Sequence, residues 1–408
     1  MTDIQTAPSV RVRPRSAASD GFTTAAHEID ESFFAHVSGE YWAWRELVER
    51  DDAAVITQHP DVVLTDLRFS REPQHRSPVL VTCQRGGPRI AAAVLVPKSI
   101  AGEKRFGPAW NLQGFRLAGN RIIGDQSPES QQAVLSAIRD HMTATRADFL
   151  LAEDVESDDT LIAAGEHPCV GLKTFHPAPP QRRHRIQLPD SLDEYWQKFN
   201  SKSRNTLRRK VKQFGECRLE RITNTDQVSD FLEHAQTVAR NSWQSDLLGL
   251  RIHNDDCELQ LFTELASLNA LRCYLLWKDD APVSFCIGTQ HNGVFHYEEV
   301  GYHRDFSRKS PGQVLVIKML EDMFAHDPPS IFDFGGGDAE YKRQFGNAIG
   351  ESGHIWLLRP GLRSRLIVNY LGGRRLLSVT LRSVRDRTGM LERVRQWTRK
   401  GLKRSSGE

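Results

Sequence analysis

Residues 330–346 gather groups that could bind and neutralise an anion. A short apolar run, Ile331 to Phe334, opens into Gly335, Gly336 and Gly337 and then Asp338, Tyr341 and Lys342. Glycines at a strand end let a ligand approach the backbone closely. A lysine beside such a turn offers a cation to a phosphate or to an oxyanion that develops during reaction. Asp338 stands where it can cap the short helix carrying Tyr341 and Lys342. Upstream, Ser310, Pro311, Gly312 and Gln313 precede an apolar-periodic run, Val314 to Phe324. Proline near the first turn marks a helix start. Free N–H groups there attract an anion such as a pyrophosphate.

Base candidates fall on the run from Val294 to Tyr302. Strand alternation puts His296, Glu298 and Tyr302 on one face and Tyr297, Glu299 and Gly301 on the other. One of Glu298 and Glu299 can therefore point into a cleft, and the sequence leaves open which. Tyr302 offers a hydroxyl as proton donor, or packs as a core aromatic. Between Ser201 and Phe214, Leu207, Val211 and Phe214 share a stripe, with Arg204, Arg208 and Lys212 on an adjacent face. Such arginines either form a solvated face or recognise an anion bidentately. Trp243 ends an apolar helix and belongs either to an acceptor pocket or to the core.

Strand, Ser-Pro-Gly, helix, strand, Gly-rich turn and Tyr-Lys occur in that order, which resembles the GNAT superfamily of acyl-CoA transferases. More narrowly the order resembles the CelD-like acyltransferases of cellulose and exopolysaccharide biosynthesis, with their BioF-like acetyltransferase domain. It is also similar to the Fem-type aminoacyl transferases. The likeness spans Ser191 to Trp356 well and residues 40–185 loosely. It implies a donor of acetyl-CoA or another acyl-CoA, held by Ser310–Gln313, Gly335–Gly337 and Tyr341. Lys342 would lie at the transfer centre, with Glu298 or Glu299 and Tyr302 as the other catalytic groups. Arg204, Arg208, Lys212, Trp243 and Asp338 would contact the substrate. The function implied is direct attack on the thioester by an N- or O-nucleophile of a sugar or envelope-glycan precursor. Two rivals stand beside it: a Fem-type transferase using aminoacyl-tRNA, and a non-catalytic scaffold of a polysaccharide synthase. Nucleic acid enters only through the tRNA of the first rival.

Two copies of one plan must position these groups. A hairpin at 79–96, a helix from Ser127-Pro128 and a strand at 148–151 recur as a hairpin at 273–287, a helix from Ser310-Pro311 and a strand at 331–334. The fold class expected is α/β (α+β), with tandem GNAT-like domains whose mostly antiparallel sheets are flanked by helices. The first copy shows Glu153-Asp154-Val155-Glu156 in place of the glycines, so it would shape the acceptor side of a cleft. The divisions expected are a disordered segment 1–25, a degenerate domain 26–185, a donor-binding domain 186–360 and a basic helical tail 361–408.

The 408 residues suit two or three domains. No apolar run reaches the ~18 residues of a membrane span, and the start lacks a signal-peptide pattern. Six cysteines without CxxC pairs suit reduced thiols, and no metal is expected. From Arg359 onward the chain carries 14 Lys and Arg against 3 Asp and Glu, a net +11, so the +2 of the whole leaves −9 on the rest. Met390, Val394 and Trp397 share a helical face among the basic residues. The expectation is a cytoplasmic protein whose tail either attaches to the anionic inner face of the membrane, meets another acidic partner, or packs on its own domain.

Overall fold

The computed structural model describes residues 21–71, 76–101, 111–242, 252–364, 366, 368 and 369. In the first half lie β1 (Phe22–Glu28), β2 (Val79–Arg85), β3 (Arg89–Ala101), β4 (Asn111–Leu117), β5 (Ile123–Gly124) and β6 (Phe149–Glu156). Then come β7 (Lys173–Phe175), β8 (Gln181–Gln187), β9 (Arg218–Ile222), β10 (Cys273–Lys278), β11 (Ala281–His291), β12 (Val294–Tyr302), β13 (Ile331–Gly336) and β14 (Ala348–Leu358). All join one 14-stranded sheet in the order β1-β2-β3-β4-β6-β14-β8-β13-β12-β11-β10-β9, with β5 and β7 pairing off this path.

The duplicated plan is visible in this order. Each half has one parallel pair, β4 with β6 and β12 with β13. A helix with proline in its first turn bridges each: Pro128–Thr145 in the first half, Pro311–His326 in the second. The other pairings are antiparallel, and those of β2 with β3, β10 with β11 and β11 with β12 are closed by short turns. At the centre the halves interlock. β14, the last strand in sequence, lies between β6 and β8, and β8 lies between β14 and β13. The division expected at 185/186 thus falls inside β8.

Apolar patterning accounts for the layers. Around β10–β13, the helices Ser201–Phe214 and Pro311–His326 bury Leu207, Phe214, Val314 and Leu315 on one face. On the other, Val228–Arg240 and Asp256–Ser267 share a core with Ile56 and Val62 of the first half. Ser191 caps the Leu192–Gln197 helix by accepting from the Glu194 N–H at 3.2 Å, as its Ser-x-x-Glu spacing suggests.

Two expectations are corrected. Residues 22–25, placed by sequence in a disordered segment, form the start of β1, because pairing with β2 buries Phe22 to 6% exposure. The even alternation read along β12 is interrupted as well: its pairing with β11 slips where Ile287 faces Glu299 and Gly288 faces Tyr297. Glu298 is the extra residue of a β-bulge, and a bulge resets which face later side chains take. Tyr302 is consequently not on the face of His296 and Glu298; its ring lies by Gly312, at the start of the Pro311–His326 helix.

Trp243, Met390, Val394 and Trp397 lie outside the described residues. Where the tail begins, Arg363 pairs with Asp148 at 3.1 Å and Val368 packs beside Phe149 and Trp356. Among the described residues no helix is long and apolar enough to cross a membrane.

Gly288 sets the bulge, since a Cβ there would sit 2.4 Å from the Phe295 ring and 2.9 Å from the His296 carbonyl. Gly288→Ala is therefore expected to lower the urea midpoint by the equivalent of about 1–3 kcal/mol, the usual range for overpacking. An unchanged midpoint would show that β12 bends freely at this point.

Candidate active site

Asp333 is a lone acid in the apolar run Ile-Phe-Asp-Phe, and its side chain is 2% exposed. A buried carboxylate requires partners, and β8 supplies them. Arg183 and Arg185 alternate onto one face of that strand. Their Nε groups donate to Asp333 Oδ2 at 2.7 and 2.8 Å. Oδ1 accepts from the Gly335 N–H at 2.8 Å, which begins the glycine turn. Burial alone would raise the Asp333 pKa, but the two guanidiniums and this N–H outweigh it and hold the carboxyl below its ordinary range. Arg185 continues to Glu156, and Arg183 to the backbone carbonyl of Asp154 at 3.4 Å. The cluster therefore ties the first half to the second.

Beyond this cluster β12 and β13 diverge. Their pairing runs from Val294 with Ile331 to His296 with Asp333 and stops there. Gly335 and Gly337 take φ of +67° and +99°, which suit glycine. Lys342 reaches back from the short Glu340–Phe345 helix and donates to the carbonyls of Phe334 at 2.7 Å and Gly336 at 2.8 Å. Desolvation lowers its pKa, partly countered by Asp333 and Asp154. Its ammonium holds the turn in shape and keeps a positive charge at the wall of the cleft.

That cleft, of about 590 Å³, is lined by Val55–Thr57, Asn120, Glu153 and Asp154 of the first half and by His296, Glu298, Gly335 and Lys342 of the second. A second lobe of about 400 Å³ shares Asn120, Arg183, His296 and Asp333 with it. Glu298 shows surface to the cleft and accepts from Thr289 Oγ1 at 2.8 Å. Protein atoms nevertheless crowd the cleft floor, and this desolvation raises the Glu298 carboxyl above its ordinary value despite that hydrogen bond. Burial lowers His296 to about 4, so its imidazole is neutral at physiological pH. A carboxylate with raised proton affinity beside a neutral imidazole is suited to receiving a proton from a nucleophile.

Glu298, not Glu299, is the glutamate that lines the cleft; Glu299 pairs with Ile287 of β11. Other expected residues lie across the sheet. Tyr341 packs with Tyr297 and Phe334. Ser310 takes a left-handed conformation, φ +54°, ahead of Pro311. The Gln313 and Val314 N–H groups turn back onto the Ser310 carbonyl. This tight start leaves the Gly312 N–H without a protein acceptor among the described residues, fewer free donors than the sequence suggested. The Gln313 side chain accepts from Lys210 and donates to Gln344. Lys210, missed by sequence, is thus the cation of the Ser201–Phe214 helix nearest this helix start. Arg204 is half-buried, Arg208 and Lys212 are exposed, and the side chains of these three have no hydrogen-bond or ion-pair partner among the described residues.

Asp338 does not cap the Glu340–Phe345 helix, whose N-cap is Ala339. It accepts instead from His184 at 3.0 Å and pairs with Arg343 at 2.8 Å, and these contacts hold its carboxyl below the ordinary range. Sequence reasoning also missed Arg183, Arg185 and Asp333. The signal was present: a charge inside an apolar strand, with arginines alternating elsewhere, requires a pairing of this kind.

Residues 201–343 match the family model described as acetyltransferase (GNAT) domain. Among solved structures, FemX superposes with a TM-score of 0.56 at 12% identity, over 82% of this chain and 98% of FemX. The C-terminal domain of a protein described as a lysylphosphatidylglycerol synthetase, from Agrobacterium fabrum, gives 0.51 at 12% identity, over 81% of this chain and 94% of that one. No curated protein matches the chain. The chain has the GNAT-type acyltransferase fold, built as two α/β halves on one mostly antiparallel sheet.

Removing Asp333 would leave two buried arginines uncompensated. Asp333→Ala is expected to cost about 3–5 kcal/mol in urea unfolding; a loss below about 1 kcal/mol would show that water already screens the cluster. His296 adds a pH dependence. Between its ordinary value of 6.5 and its folded value of about 4, the unfolded chain takes up a proton that the native state does not. Stability from this group is complete above the upper limit and is lost as pH falls through the window. His296→Gln should flatten the fall in urea midpoint between these pH values, and a slope equal to that of the parent would contradict a buried neutral imidazole.

Proposed function

We propose that this chain is an acyl-CoA-dependent N- or O-acyltransferase whose acceptor is a small molecule or a glycan precursor, in the manner of the CelD-like proteins it resembles. One observation carries the reading: the β12–β13 gap has a helix start with a free N–H on one face and Glu298 on the other. An acyl donor laid along the first face would send its thioester through the gap. An acceptor in the cleft would meet it there.

The residues on the donor face suit a phosphorylated ligand. A Cβ at Gly312 would meet only the Tyr302 ring at 3.9 Å, so a ligand can come close to this backbone. Lys210 adds positive charge next to it. Arg204, Arg208 and Lys212, without internal partners, extend that charge along the helix. On the acceptor face Glu298 takes the proton from the attacking group. The neutral imidazole of His296, its pKa lowered to about 4, is the weaker base beside it. Lys342 acts chiefly by fixing the turn that walls the reacting centre, and its charge favours a developing oxyanion. Direct attack needs no enzyme nucleophile. The thiolate leaves towards the donor face.

Two substitutions test the two faces separately. Gly312→Val has room to fold and should weaken CoA binding in calorimetry by tenfold or more, whereas equal affinity would remove the helix start from the donor site. Glu298→Gln keeps the shape and should lower turnover about 10²–10⁴-fold, the usual contribution of a general base, with CoA affinity retained. Full turnover in that variant would rule out Glu298 as the base.

A further inference from the structure

β11 carries two buried hydroxyls, and they are used differently. Ser284 Oγ donates to the Gly301 carbonyl of β12 at 2.8 Å, an ordinary outlet for a hydroxyl inside a sheet. Thr289, 2% exposed, donates instead to a side chain: its Oγ1 lies 2.8 Å from Glu298 Oε1. The strand register accounts for this reach. Thr289 pairs with His296, and Glu298 is the extra residue of the bulge that follows. All three line the cleft. A buried hydroxyl left without an acceptor is unfavourable, so the contact holds both side chains in one arrangement.

That contact makes the two carboxylate oxygens unlike. Oε1 is held, whereas Oε2 has no hydrogen-bond or ion-pair partner among the described residues. A glutamate loses much rotamer freedom when it is fixed, and fixing it beforehand removes that loss from the reaction. The hydroxyl also favours the ionised carboxylate, against the desolvation that opposes it. Other charges around Glu298 are set independently of Thr289. Arg116 and Lys342 bring positive charge to the cleft, Glu153 and Asp154 negative, and Arg183 pairs with Asp333. His296 is neutral, and Cys273 of β10, within electrostatic reach, has its thiol pushed up by burial.

We propose that Thr289 is a positioning residue for the acceptor-side base: it holds Oε1 of Glu298, so that Oε2 is the atom presented to the acceptor and the atom that receives its proton. This rests on the reading of Glu298 as the base, and adds which oxygen acts and what aims it. As the nucleophile bonds to the thioester carbon and the C–S bond breaks, the proton of the attacking N–H or O–H passes to Oε2. Thr289 keeps its own proton throughout and touches neither reactant.

Two substitutions of Thr289 test this on the full chain. Thr289→Val keeps the β-branched shape and removes the hydroxyl; Thr289→Ser keeps the hydroxyl. Carbon-13 NMR of chain labelled at the glutamate carboxyls follows the titration of Glu298, whose signal is the one missing from Glu298→Gln. The midpoint is expected to move to higher pH in the valine variant and to return towards the parent value in the serine variant. Turnover is read as thiol release from acetyl-CoA with hydroxylamine as a small acceptor, at a pH above both midpoints, where Glu298 is ionised in every variant. There Thr289→Val should still lose about tenfold or more, from misplacement alone, with CoA affinity in calorimetry retained, and Thr289→Ser should recover most of it. Should the valine variant fail to fold, Thr289→Ala removes the same hydroxyl and carries the same expectations. An unmoved midpoint overturns the proposal, as does turnover equal to the parent's without the hydroxyl, or a serine variant as impaired as the valine one. Glu298→Gln separates this from the reading beneath it. Full turnover in Glu298→Gln removes the base and the role of Thr289 together; lost turnover there, with an unmoved midpoint in Thr289→Val, removes Thr289 alone.

Discussion

The pairing of Asp333 with Arg183 and Arg185 is the constraint on which the rest of the site depends. The carboxylate sits in the middle of an apolar strand, where an unpaired charge would not be tolerated. Its two oxygens divide the work: one receives both guanidiniums, the other the Gly335 N–H. A single side chain therefore fixes the neighbour of β13, the start of the glycine turn and, through Glu156 and Asp154, the approach of the first half. Such a cluster adds little net stability compared with an apolar replacement. Its contribution here is placement. Arg183 and Arg185 can satisfy Asp333 only when β8 lies beside β13 in this register.

That placement explains why the halves make one sheet. β8 is the last strand before the second half, yet it pairs with β13; β14 ends the second half, yet it pairs with β6. The interlocked strands bury Ile355 and Leu357 in the first half's core. The cleft consequently has walls from both halves and a floor of central strands. The pairing of β12 with β13 ends at His296 and Asp333, both of which line it. The bulge at Glu298 turns that carboxyl into the cleft and leaves Tyr302 beside the start of the Pro311–His326 helix.

Separation of charge follows from the same geometry. The helix Ser201–Phe214 places Lys210 beside the start of the Pro311–His326 helix. The end of β6 and the turn after it carry the acidic residues that the first half has in place of glycines, and they line the cleft. Two halves built on one plan but with unlike turns thus present two unlike surfaces at a single gap.

The sequence by itself determined the local elements. Proline after serine marks both bridging helices, β-branched and aromatic runs mark the hairpins, and the Gly-rich turn with Tyr341 and Lys342 marks the end of β13. These are short-range effects of backbone conformation and periodicity, readable without knowing the neighbours. Strand alternation also allowed only one of Glu298 and Glu299 to point into a cleft. Tertiary structure alone decided between them, because a bulge depends on how β11 and β12 pair and on the Phe295 ring against Gly288. Likewise it alone showed that Lys342 turns onto its own strand's carbonyls, that Asp338 is held by His184 and Arg343 and caps nothing, and that Lys210 faces Gln313. Each outcome depends on a partner far away in sequence, and the energy of burying a charge or satisfying a carbonyl is set only when that partner arrives.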